Sequence, residues 1–166
     1  MTNLSDFLNT AQQFVDQFNH WASKNNPPAI ADHICFKCAD AEEFESLRRL
    51  FETESGFVYQ SMIAKRRIAI IKFLQPIKTN IGDIWYLELS DQKPDGSQVS
   101  GFDHIEIYPT EGSMDMLAEY LEGKGTTFEK VVRPHHTTYD AEIFGTFKIR
   151  LEDESLVEKI KREEMK

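Results

Sequence analysis

The sequence predicts an α+β fold in which two βαβββ modules form a curved mixed sheet, with a concave metal or ligand cleft and helices outside. Three observations predict it. The tripeptide Asp-His-Ile opens two strand-like segments, at residues 32–34 and 103–105. An amphipathic helix and further strand-like segments follow each of them, and a polar, turn-rich stretch at 91–100 separates the two series. A repeated order of elements indicates a duplicated structural unit.

Length and charge narrow the class of protein. A chain of 166 residues with 40% hydrophobic residues suits a single domain with a sizeable core. The formal net charge of −9 argues against binding to nucleic acid or to an anionic membrane. No apolar run is long enough to span a bilayer, and the N-terminus lacks a signal-peptide pattern. We therefore expect a cytoplasmic protein, monomeric or homodimeric, whose partner is a small molecule.

The predicted domain, residues 1–166, divides into five segments. They are an added N-terminal helix (1–28), the first module (29–90), the connection (91–100), the second module (101–153) and a C-terminal helix (154–166). In the N-terminal helix, apolar residues recur at spacings of three and four from Phe7 to Trp21, with Ser5 or Asp6 near its start. Its apolar stripe is expected to dock on the main fold.

The first module should begin with a strand at 31–38. Asp40 and Glu43 then form a capping box for a helix that ends at Gly56. Strands are predicted at 57–63, 67–73 and 84–89, with a turn at 76–82 before the last of them.

The second module should begin with a strand at 102–108, followed by a helix that Ser113 caps and Gly123 ends, with Tyr120 on its buried side. A strand at 126–132, a loop with a short strand at 135–144 and a strand at 146–152 follow. The only two cysteines, Cys35 and Cys38, fall on a predicted strand and point to opposite faces, so we interpret them as ordinary strand residues.

Alternation along the strands places polar residues together on the concave face. Two imidazoles and two carboxylates from four strands are a plausible site for one divalent transition metal (Zn, Ni, Co, Mn or Fe). The predicted ligands are His33, Glu88, His104 and Glu152. Each histidine could instead be a buried residue bonded to backbone, and each glutamate an exposed or capping residue.

Further polar residues complete the predicted site. Glu106 shares a face with His104, and it could be a general base, a partner that orients the imidazole, or a solvated residue. Glu106 and Glu152 are the candidate catalytic carboxylates. Arg66 and Arg150 could pair with a substrate anion or balance the nearby glutamates. The candidate substrate-binding residues are Arg66, Tyr86, Tyr108 and Arg150.

Several stretches resemble the vicinal oxygen chelate superfamily, which includes glyoxalase I, extradiol dioxygenases and fosfomycin-resistance proteins. They are Ala-Asp-His-Ile at 31–34, Lys72 and Pro76 after Arg66, Leu-Glu-Leu at 87–89, Gly-Phe-Asp-His-Ile-Glu-Ile at 101–107 and the strand at 148–152. The chain resembles most closely the YecM-like bacterial proteins, described as candidate metal-binding members. The resemblance implies paired βαβββ modules whose first and last strands supply the metal ligands, again His33, Glu88, His104 and Glu152.

The predicted function is a metal-dependent lyase, isomerase or dioxygenase acting on a small oxygen-rich substrate that chelates the ion through two oxygens. The alternative is a non-catalytic protein of the same fold that binds or sequesters a small molecule. A third hypothesis is a regulatory protein that uses its N-terminal helix as a docking surface.

Overall fold

The computed structural model describes residues 3–53, 57–63, 65–134 and 136–164. Helices and strands follow one another in the predicted order. The elements are α1 (Leu4–Asn25), β1 (Ala29–Lys37), α2 (Ala41–Glu52), β2 (Phe57–Ile63), β3 (Arg66–Thr79), β4 (Gly82–Ser90), β5 (Gly101–Pro109), α3 (Met114–Gly123), β6 (Glu129–Val132), β7 (Thr137–Phe144), β8 (Phe147–Leu151) and α4 (Leu156–Glu164).

The strands form one eight-stranded mixed sheet in the order β2-β3-β4-β1-β5-β8-β7-β6. The two halves have the same topology, because the first strand of each runs parallel to its last strand: β1 beside β4, and β5 beside β8. The halves meet where β1 and β5 pair antiparallel at the centre of the sheet. The α+β class and the paired arrangement are therefore confirmed.

Helix α1 contributes directly to the hydrophobic core. Phe7 is fully buried, and its ring lies 5.3, 5.2 and 5.1 Å from the rings of Phe36, Phe51 and Phe102. These partners belong to β1, α2 and β5, so the helix packs against both halves of the sheet. Burying one such side chain contributes about 1.5–3 kcal/mol to folding.

Local capping signals in the sequence are confirmed at two helices. Asp40 accepts a hydrogen bond from the backbone N–H of Glu43 (2.8 Å), and Ser113 caps α3 in the same way through Met116 N–H. Helix α1 differs, since its N-cap is Asn3 instead of Ser5 or Asp6. The predicted helix end at Gly56 lies outside the described residues.

Strand β3 is longer than predicted, because it continues through Pro76 to Thr79. Within the described residues, strand β2 pairs with β3 as far as Lys72, and the β3–β4 register shifts between Lys72 and Ile77. A proline is tolerated at such an irregular edge, where its missing N–H breaks no ladder hydrogen bond.

Two predictions for the second module also need correction. Thr137–Phe144 forms a full strand, since it pairs with both β6 and β8. Tyr120 is 38% exposed and donates its hydroxyl to the Asn26 carbonyl, so it is not a core residue.

Cys35 and Cys38 are free and buried. Among the helices that the structure describes, none has the length and hydrophobicity needed to cross a membrane.

Candidate metal centre

Two β-bulges position the histidines on the central strands. In the β1–β5 ladder, Asp32 and Asp103 are each the extra residue, left without a partner on the opposite strand. Each bulge resets the alternation of faces, so Phe102 points into the hydrophobic core while His104 lies on the opposite face. The bulge at Asp32 separates Ala31 from His33 in the same way.

Four ligand atoms converge on that opposite face, two from each half of the sheet. One atom each from His33, Glu88, His104 and Glu106 lies within 4.8 Å of all the others. His33 Nε2 is 2.6 Å from Glu106 Oε2 and 3.0 Å from Glu88 Oε2. Both histidines and Glu106 are buried. Two imidazole nitrogens and two carboxylate oxygens form a donor set that fits a divalent transition metal.

Each imidazole is held by the aspartate that precedes it. Asp32 Oδ2 lies 2.7 Å from His33 Nδ1, and Asp103 Oδ2 lies 2.7 Å from His104 Nδ1. An Nδ1–H that donates to a carboxylate leaves Nε2 facing the other donors. Metal-binding histidines are oriented by such carboxylates in general.

The electrostatics of the two histidines differ. Burial and the neighbouring Arg150 lower the pKa of His104, which keeps its imidazole neutral. Burial would also lower the pKa of His33, but Glu106, Asp32 and Glu88 outweigh it and raise that pKa well above its usual value. These carboxylates therefore favour the protonated imidazole of His33 in the absence of a metal.

The pKa values of the two carboxylates, Glu88 and Glu106, are lowered. Burial would raise the pKa of Glu88, but His33 outweighs it and holds that pKa at about 2. Burial is likewise overcome at Glu106, whose pKa is well below its usual value because of His33 and Lys159. Both carboxylates are thus ionised and able to bind a cation.

Glu152 lies beside this group, because its place on the sheet differs from the predicted one. The parallel ladders pair Cys35 with Glu88 and Glu106 with Arg150, so the counterpart of Glu88 in the second half is Arg150. The predicted correspondence of Glu88 with Glu152 is two residues out of register. Consequently, the carboxylate next to the two imidazoles is that of Glu106, which was predicted as a catalytic residue. Glu152 had been expected at this place.

Lys159 and His136 are the neighbours of Glu152. Glu152 Oε1 lies 3.1 Å from Lys159 Nζ and 3.5 Å from His136 Nε2. Burial and the charge of Glu106 raise the pKa of Glu152 to about 7, although Lys159 opposes the shift. A carboxyl group with such a pKa can accept or donate a proton near neutral pH.

The predicted substrate-binding residues are dispersed. Arg150 reaches the site: its Nη1 is 3.4 Å from His104 Nε2, while Nε and Nη2 donate to Asp140. Tyr86 pairs with His33 in the β1–β4 ladder. Arg66 instead donates to Gln98 Oε1 (2.6 Å) in the connection between the modules.

Tyr108 lies on β5 two residues beyond Glu106, and burial together with Asp32 raises the pKa of its hydroxyl. Several further residues that contact the site were not predicted. Asp32 and Asp103 had a signal, because an aspartate precedes the histidine in both copies of the repeat. Lys159 had none, since lysines are common on a charged helix.

Comparisons with known proteins found a matching family and similar solved structures. The YecM protein family matches residues 1–157. A structural-genomics structure, protein EC4020, has 22% sequence identity to the chain and a TM-score of 0.74, with 96% of this chain and 92% of that one covered.

Two fosfomycin resistance proteins, FosX from Mesorhizobium loti and FosX from Listeria monocytogenes complexed with Mn(II) and 1S,2S-dihydroxypropylphosphonic acid, show 18% and 13% identity. For both, the TM-score is 0.29, with 78% of this chain and 95% of the other covered. No curated protein matches the chain. Because the family match extends over nearly all of the sequence, the chain belongs to the YecM protein family.

Proposed function

We propose that the protein is a divalent-metal-dependent enzyme of the lyase, isomerase or dioxygenase type, acting on a small oxygen-rich substrate. One observation carries the proposal: the two halves of the sheet bring an imidazole and a carboxylate each to a common point. The proposed ligands are His33, Glu88, His104 and Glu106. The predicted cytoplasmic location, single domain and monomeric or homodimeric state stay predictions.

The donor set limits the metal. Nitrogen and carboxylate ligands suit Mn, Fe, Co, Ni or Zn, and the group has no thiolate to favour a softer ion. Four protein ligands leave two positions on an octahedral ion, which is what a substrate needs to chelate it through two oxygens. A bound ion there would act as a Lewis acid and stabilise negative charge on those oxygens.

The surrounding side chains supply binding and proton transfer. We assign proton transfer to Glu152, because its pKa of about 7 lets it exchange a proton near neutral pH. We assign substrate binding to Arg150, whose Nη1 lies next to the metal-facing nitrogen of His104. The hydroxyls of Tyr86 and Tyr108 are proposed to line the same face.

The site is suited to charge stabilisation because its donors are held in place before any ligand binds. Asp32 and Asp103 fix the imidazoles, and Asp140 fixes the guanidinium of Arg150 through two hydrogen bonds. Groups that are already oriented need no rearrangement as charge develops, which is the main source of electrostatic catalysis.

Metal analysis of the purified protein tests the proposal. After loading with Mn(II), Co(II) or Zn(II) and exhaustive dialysis, the wild type should retain about one ion per chain. The double variant H33A/H104A should retain almost none. H20A is the matched control, since His20 lies on the exposed side of α1, and it should behave as wild type. Equal metal content in all three proteins, with circular dichroism confirming the fold, would refute the site.

A further inference from the structure

Lys159 extends from α4 to the acidic side of the candidate metal centre. Its Nζ lies 3.3 Å from Glu106 Oε1 and 3.1 Å from Glu152 Oε1. The other oxygen of Glu106 contacts His33 Nε2 at 2.6 Å. One carboxylate of the proposed metal site is therefore shared between a ligand histidine and an ammonium group.

Helix α4 makes polar contacts with the residues of the site. The backbone N–H of Leu156 donates to Asp32 Oδ2 (2.9 Å), the same oxygen that lies 2.7 Å from His33 Nδ1. The apolar residues of α4 are Leu156, Val157 and Ile160. They are only partly buried, and within the described residues they lie outside the main hydrophobic core. Asp32 and Lys159 thus tie this helix to the two sides of the proposed metal centre.

We infer that Lys159 is a tethered cation that competes with the metal, and that metal binding loosens α4; this inference rests on the proposed metal site. A divalent ion bound by His33 and Glu106 brings two positive charges close to the ammonium group. Like charges a few ångström apart inside or near a protein repel each other far more than in bulk water, so the ion and the ammonium group oppose each other's binding. The ammonium group lowers the affinity of the site, and it leaves Glu106 when an ion binds.

The side chain of Lys159 is directed to the candidate metal centre, unlike that of the nearby Lys161. Its side chain is 24% exposed and points back to the sheet, whereas Lys161 on the same helix is 66% exposed and pairs with Glu158. The YecM match ends at residue 157, so Lys159 lies beyond the matched part of the chain.

Titration with Co(II), followed by calorimetry and by visible absorption, measures the competition. K159M removes the ammonium group and keeps the length of the side chain, so it should bind Co(II) at least about tenfold more tightly than wild type. K159R keeps the charge and should stay close to wild type. K161M is the matched control and should also bind as wild type does. Equal or weaker binding by K159M, with an unchanged circular dichroism spectrum, would overturn the inference.

Hydrogen exchange of the wild-type protein provides a second readout that needs no variant. Adding Co(II) should speed exchange of the backbone amides at 160–164, because the tie through Lys159 is released. Slower exchange there on Co(II) binding would overturn the inference. Absence of Co(II) binding in every variant would refute the metal site itself, whereas equal binding in wild type and K159M would refute only the role of Lys159.

Discussion

Glu88 and Arg150 occupy equivalent places in the two halves of the sheet, one opposite Cys35 and the other opposite Glu106. The first half therefore takes its carboxylate from its last strand, whereas the second half takes it from its first strand. Arg150 cannot be a metal ligand, and it donates hydrogen bonds to Asp140 instead. The imidazoles are repeated symmetrically in the two halves, but the oxygen donors are not.

This asymmetry predicts different effects for the two central glutamates. E106Q should weaken Co(II) binding by about tenfold or more, which corresponds to about 1.4 kcal/mol, because a neutral amide replaces a charged ligand oxygen. E152Q should change the affinity by less than about threefold, since Glu152 lies beside the four donors. Calorimetric titration of both variants checks this. A larger loss in E152Q would show that Glu152, not Glu106, is the ligand.

The aspartates at the bulges should affect metal affinity through their contacts with Nδ1 of the two imidazoles. D32N and D103N should each lower the affinity by about 10–100-fold, because the histidine loses the carboxylate that orients it. D95N is a suitable control, since Asp95 is exposed and accepts hydrogen bonds from the backbone N–H and the hydroxyl of Ser97 in its own loop. Unchanged affinity in both bulge variants would contradict an orienting role.

Metal binding should release a proton from His33. Glu106, Asp32 and Glu88 raise the pKa of His33 well above its usual value despite its burial, which favours the protonated imidazole. Only the neutral imidazole can bind a metal. Affinity should therefore rise with pH, by about tenfold per unit below that pKa. Calorimetry in buffers of different ionisation enthalpy gives the number of protons released. A value near zero at pH 7 would contradict the raised pKa.

Stability of the metal-free protein should be greatest at mildly acidic pH. The pKa of His33 is raised, so its contribution is complete below about 6.5 and disappears as pH rises through the folded value. Burial and Glu106 raise the pKa of Glu152 from 4.5 to about 7, which also reduces stability as pH rises through that interval.

Glu88 acts at the other end of the pH scale. Although burial opposes it, His33 holds the pKa of Glu88 at about 2, below its usual 4.5, so its contribution is lost as pH falls through that interval. Urea unfolding in the presence of a chelator, measured between pH 3 and 9, should therefore show a maximum near pH 5–6. A steady increase in stability up to pH 9 would contradict these shifts.

Helix α1 should be essential for folding, which bears on the hypothesis that it is a separable docking surface. F7A should lower the free energy of unfolding by about 3–5 kcal/mol, because it leaves a cavity among three buried rings. N9A, on the exposed side of the same helix, should change the free energy of unfolding by less than about 1 kcal/mol. Chemical denaturation measures both. A small effect of F7A would indicate that the helix can be removed.

The order of elements could be predicted because its signals are local. The spacing of apolar residues from Phe7 to Trp21 and the caps at Asp40 and Ser113 depend only on neighbours in the chain. The same holds for the repeated Asp-His-Ile, which placed both imidazoles correctly on the central strands.

The register between β5 and β8 could not be predicted from local signals. Glu152 shares the alternation of Arg150, so a shift of two residues keeps both on the same face and leaves no trace in the sequence. The bulges at Asp32 and Asp103 and the passage of β3 through Pro76 depend on pairing with other strands. Lys159 approaches the site only through tertiary packing.

The two halves of the sheet meet where β1 pairs antiparallel with β5, and each half supplies two of the four candidate donors. A bound metal would therefore hold the two halves together. The midpoint of thermal unfolding of the whole chain should rise with the free metal concentration. An excised half would gain no such protection.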